Sequence, residues 1–164
     1  MAVQPKLAQL QIRVSRAEKA AIQRAAKRAG MDMSRYVLSK VISSSATRFR
    51  ECVAVAAGSK SSFGLAELNS LLTKLSSFEL KDAVAEAPDV ALSPFVANYI
   101  AAMVELACAR RDIPLPHWTR AVIPLEDPWF AAPAPALRHY LLISSPAPFR
   151  RRNIFIDSSL GSRV

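Results

Sequence analysis

Polar and apolar residues alternate strictly over Gln9-Leu10-Gln11-Ile12-Arg13-Val14, the two-residue period of a strand with one buried face. Leu10, Ile12 and Val14 fall on one side, and Gln9, Gln11 and Arg13 on the other. The period then lengthens. Ser15, with Glu18 three residues on, has the spacing of a capping box. Ala20, Ala21, Ile22, Ala25, Ala26 and Ala29 continue a helix between Lys19, Arg24, Lys27 and Arg28. Gly30 suits the left-handed position that ends it. Asp32 can cap a second helix, with Met33, Tyr36, Val37, Leu38 and Val41 as its apolar positions, reaching to about Arg48.

Beyond this point the pattern changes character. Residues 55–62 are small and without period, which predicts a hinge. Leu65, Leu68, Leu71, Leu72 and Leu75 recur at helical spacing, and Ser77 can open a short helix to Ala87. Ser93-Pro94 has the form of an N-cap with Pro at the first helical position, predicting a helix over Pro94–Arg111. Its apolar face would hold Phe95, Tyr99, Ala102, Met103 and Leu106. Six prolines among residues 113–135 exclude a long helix there. His117, Trp118, Trp129 and Phe130 in the same stretch predict an ordered, extended segment packed over helices. A last helix over Ala136–Ile143 precedes the tail with Arg150, Arg151 and Arg152. Three roles compete for these arginines: phosphate contacts, an acidic partner, or carboxylate pairs inside the domain. The apolar neighbours Phe149, Ile154 and Phe155 favour partner or core roles over DNA.

One strand and two helices cannot stand alone, because the strand's backbone groups lack partners and the buried area is small. Antiparallel pairing with the same strand of a second chain supplies both. Leu10, Ile12, Val14, Ile22, Tyr36 and Val37 would then form a dimer core. Gln9, Gln11 and Arg13 of each chain would share one polar face, and a two-stranded ribbon of that kind fits the DNA major groove.

Charge sharpens this picture. The chain has 164 residues and a net charge of +9. Residues 1–52 carry eleven Lys/Arg against Glu18, Asp32 and Glu51, a net +8. Residues 53–109 carry three lysines against six acids, and residues 110–164 eight arginines against four acids. A basic head followed by a mildly acidic middle is the footprint of a separate nucleic-acid-binding unit. With 51% apolar residues and four glycines, the rest can bury a helical core. The sequence therefore divides into residues 1–54 for DNA binding and dimerisation, a hinge over 55–62, and a helical, proline-rich domain over 63–164. The fold class is mainly α.

The run LQIRVSRAEKAAIQRAAKRAGMDMSRYVLSKVI resembles the ribbon-helix-helix modules of TacA-type antitoxins. They share the short alternating strand, the Ser/Thr-initiated helix with an Ala-rich centre, the Ala-Gly turn, and the Ser-aromatic-apolar opening of the second helix. The resemblance implies base reading by Gln9, Gln11 and Arg13. It implies a phosphate clamp at the start of the second helix, and autoregulation of an operon that also encodes a toxin. Asp32 stands where that family has a neutral Ser, so the clamp would rest on Ser34 and Arg35. The implied partners are double-stranded operator DNA, a second copy of the chain, and a toxin enzyme bound by the C-terminal domain. The alternative is a stand-alone regulator with a C-terminal assembly or sensor domain. The C-terminal part is placed in no named family.

Catalytic chemistry has little to stand on. There is no nucleophile elbow, Gly-rich phosphate loop or HExxH. His117 and His139 read as capped or packed side chains, and Cys52 and Cys108 as small core residues. The expectation is a protein without enzymatic activity, metal or cofactor. Without a signal-peptide pattern or a membrane-length apolar run, a cytoplasmic location is also expected.

Overall fold

The computed structural model describes residues 11–41, 44–132 and 134–157. The chain divides into two units, Met1–Ile42 and Ser43–Val164.

In the first unit, residues 11–15 belong to no regular element. Over residues 11–14 the expected strand is therefore not formed in the single chain, and Gln9 and Leu10 lie outside the described residues. The physical reason is that an isolated strand has nothing to bond its backbone N–H and C=O groups. Helix α1 spans Arg16–Arg28 and opens on the expected capping box. The Ser15 N–H donates to Glu18 Oε2 at 2.7 Å, and the Glu18 N–H donates to Ser15 Oγ at 3.2 Å. Gly30, at φ +64°, ends the helix. The Met31 N–H reaches Ala26 O at 3.0 Å and the Gly30 N–H reaches Lys27 O at 3.1 Å, the paired bonds of a Schellman motif. Helix α2 spans Met33–Val41, and the Asp32 carboxylate caps it by accepting the Arg35 N–H at 2.9 Å.

The second unit opens with α3 (Ser44–Ala57) and α4 (Ser61–Lys74). Only residues 58–60 separate the two, so they fold back as a helical hairpin. The structure differs here from the expected hinge over 55–62. Those small residues lie in the end of α3, the connecting turn and the start of α4, within one unit. Smallness here serves close approach. A Cβ on Gly64 would lie 2.7 Å from Ala56 Cα and closer still to Ala56 N. Of the expected second helix to Arg48, residues 33–41 form α2 and residues 44–48 belong to α3, and residues 42 and 43 lie outside the described residues.

Helix α5 (Ser77–Ala83) is capped by Ser76, one residue before the expected Ser77, through a second capping box with Glu79. Helix α6 (Pro94–Ala109) starts at Ser93-Pro94 as expected. It is the axis of the unit: Ile100, Ala101, Ala102, Val104 and Cys108 are fully buried along it. Packed with it are Phe49 and Val53 of α3, Leu68 and Leu72 of α4, and Leu80 of α5. A short 3-10 helix (His117–Ala121), α7 (Pro135–Ser144) and α8 (Ala147–Arg150) follow. Two short strands, β1 (Trp129–Phe130) and β2 (Ile154–Phe155), pair in parallel, with Trp129 opposite Ile154.

The proline-rich stretch is ordered and strapped down by side chains. Trp118 Nε1 donates to Val84 O at 2.9 Å, and Asn153 Nδ2 donates to Leu125 O at 2.6 Å. Where prolines remove backbone donors, side-chain donors and carbonyl acceptors supply the bonds instead. Of the two readings for His117 and His139, capped or packed, exposure of both side chains rules out the packed one.

Candidate nucleic-acid interface

The first unit positions its polar residues from two capped helices, α1 and α2. Residues 11–15 lead directly into the capped start of α1, and the Ser15–Glu18 pair ties Ser15 to the helix. That pair holds the Glu18 carboxyl below its ordinary range, because its charged form accepts the Ser15 backbone and side-chain hydrogen bonds. Gln11 and Arg13 are exposed. So are Arg16, Lys19, Arg24, Lys27 and Arg28 of α1, which surround them with positive charge in sequence.

The start of α2 is more constrained than expected. Its Arg35 N–H is taken by the Asp32 carboxylate, and its Tyr36 N–H by Asp32 O. The N–H groups of Met33 and Ser34 remain as first-turn donors, beside a carboxylate that disfavours an anion. The exposed side chains of Ser34 and Arg35 are therefore the parts of this end best suited to a phosphate.

The residues of the expected dimer core are only partly covered in the single chain. Ala26 is buried at 3%, whereas Ile22, Tyr36 and Val37 are half-buried. Ile12 is 58% exposed and Val14 43%. Met31, Met33 and Leu38 are also exposed, and the first two flank the Gly30–Asp32 turn. Met31 was not singled out from the sequence, because it follows the end of the helical period. Lys40 Nζ lies 5.7 Å from the Tyr36 ring centroid and shields part of it. Leu10 is outside the described residues.

The tail arginines separate by role. Arg150 and Arg151 are exposed, while Arg152 is buried at 5%. Its guanidinium pairs with Glu105 Oε1 at 2.6 Å, and donates to Asn98 Oδ1, Thr119 O and Val122 O. This places Arg152 in the core role among the three considered. Cys52 and Cys108 are buried, and burial pushes both thiols up from their ordinary value. Among the described residues no group of His, Cys, Asp and Glu is placed to hold a metal ion. Among the same residues no helix is long and apolar enough to cross a membrane.

No curated protein and no solved structure matches the chain. Residues 4–51 match the NikA-like family, described as mobilization protein NikA. The match spans the whole first unit from residue 4 and the opening half of α3, so the similarity falls on the segment that the sequence marks as the DNA-binding module.

Proposed function

We propose that the chain is a homodimeric, sequence-specific DNA-binding protein of the ribbon-helix-helix type. The observation that carries this reading is the incomplete first unit. It has capped helices, yet Ile12, Val14, Met31, Met33 and Leu38 remain exposed, and among the described residues, residues 11–15 have no strand partner. A second copy, paired strand to strand, would cover that apolar set and bond the backbone at once. The paired Gln9, Gln11 and Arg13 would then read bases in the major groove, with Ser34 and Arg35 on the flanking phosphates.

Within this class the family match supports a mobilization role, in which the bound site is one where DNA is processed for transfer. A second reading is supported by the resemblance to TacA-type modules. It is an antitoxin that represses its own operon and neutralises a toxin enzyme through the C-terminal unit. Footprinting the full-length protein on its genomic neighbourhood separates the two. Protection of a site that is nicked for transfer carries the first. Protection of its own promoter, beside a gene lethal in its absence, carries the second.

The shared core of both readings is tested by Ile12→Asp. An unpaired carboxylate in the paired ribbon costs several kcal/mol, so dimer and DNA binding should disappear together while the second unit stays folded. A wild-type chain that stays monomeric at micromolar concentration and binds no duplex DNA would overturn the proposal.

A further inference from the structure

The second unit contains a cavity of about 650 Å³ between α4, α6 and the segment around α8 and β2. That volume is in the range of small-molecule sites. Its floor reaches the hydrophobic core, since Leu72, Met103, Phe149 and Ile156 all line it and are 2–6% exposed. Its walls include a cluster of aromatic rings. The Phe95 and Trp129 centroids are 4.8 Å apart, and those of Tyr99 and Phe149 are 5.2 Å apart. These rings meet at tilted or edge-on angles of 53° and 78°. Packing of that kind fixes the rings against each other and keeps the wall in place without a ligand.

The charges are all gathered in few residues. Arg110 and Arg111 line the cavity against one carboxylate, that of Asp157. Arg111 is occupied: it donates to Ala107 O, Leu72 O and Thr73 O, and so ties the end of α4 to α6. Arg110 is exposed, and among the described residues no carboxylate stands within ion-pair distance of it. An apolar, aromatic-walled cavity thus opens beside a guanidinium with no ion-pair partner among the described residues.

We infer that this cavity is a binding site for a small amphipathic acid, with its apolar body against Phe95, Tyr99 and Met103 and its anionic group on Arg110. A guanidinium gives a carboxylate two parallel hydrogen bonds, and the core floor contributes the desolvation of the apolar part. This site is independent of the DNA-binding proposal, because every lining residue belongs to the second unit.

The test is calorimetric titration of the full-length protein with dodecanoate and with its uncharged twin, dodecanol. Dodecanoate should bind at one site per chain and more tightly than dodecanol. Arg110→Ala should weaken dodecanoate about tenfold, the weight of one charge-assisted contact at a half-open site, and leave dodecanol within about twofold. Arg110→Lys should restore part of the loss. Ala66→Trp, an exposed position on the lining, should block the mouth and weaken both ligands with the fold retained by circular dichroism. Equal affinity for acid and alcohol would overturn the inference. So would no uptake of either ligand up to its solubility limit, or binding that Ala66→Trp leaves unchanged.

Discussion

Arg152 and Arg13 show how differently one side chain is used at the residue scale. Arg152 is buried and spends its guanidinium on a carboxylate, a carboxamide and two carbonyls. Its value lies in leaving none of those groups alone. Glu105→Leu would strand a buried cation, and stability should fall by about 3–5 kcal/mol, read from the midpoint of urea unfolding. Arg13 is exposed, and among the described residues no ion pair or hydrogen bond holds its side chain. Arg13→Ala should leave stability nearly untouched. It should cost about 1–3 kcal/mol of specific DNA binding and relax preference at one base position; a variant as selective as the parent would show that the ribbon faces are assigned wrongly. Composition alone could not separate these roles. The arginine triplet 150–152 could be read only as three options, since burial depends on Glu105, 47 residues earlier in the chain.

Local codes were legible wherever the partner lies within a few residues. Ser15 with Glu18, Gly30, Asp32, and Ser93 with Pro94 all cap or end the helices they were expected to. Where the partner lies on another element, the same reading failed. Ala56, Ala57 and Gly58 look like a linker in sequence, yet the structure places them at the tight end of a helix pair. Gly64 gives a test by sign. Helix propensity alone makes Gly64→Ala stabilising by about 1 kcal/mol. The clash of its Cβ with the Ala56 backbone predicts the opposite, a loss of about 1–3 kcal/mol from forcing two helices apart. Thermal unfolding of this single variant decides between them.

At the scale of the whole molecule, the division between Ile42 and Ser43 sets where the chain can be cut. A cut near residue 59 would separate α3 from α4 and expose Phe49, Val53 and Leu68. A fragment over 43–164 should instead fold alone, as judged by cooperative unfolding, and should not bind DNA. Full-length binding to DNA should weaken steeply with salt, by a slope of about 0.9 per neutralised phosphate. Substituting Arg150 and Arg151 together should leave that slope unchanged if the second unit stays off the DNA, and make it shallower if those exposed arginines touch the backbone. The charge along the sequence changes near residue 52, whereas the contacts divide the chain between Ile42 and Ser43, because charge reports on surfaces and α3 is assigned by what it buries.

The closure of Arg152 onto Glu105 and Asn98 also carries a kinetic consequence. Those contacts span 47 and 54 residues, whereas α3 and α4 meet across a turn of three. Short loops close before long ones, so the helical hairpin is expected in the folding nucleus and the arginine latch after it. Gly64→Ala should therefore slow refolding, while Glu105→Leu should mainly speed unfolding and leave the refolding limb of the chevron in place. The latch then governs how long the second unit stays folded once formed, and the hairpin how soon it gets there.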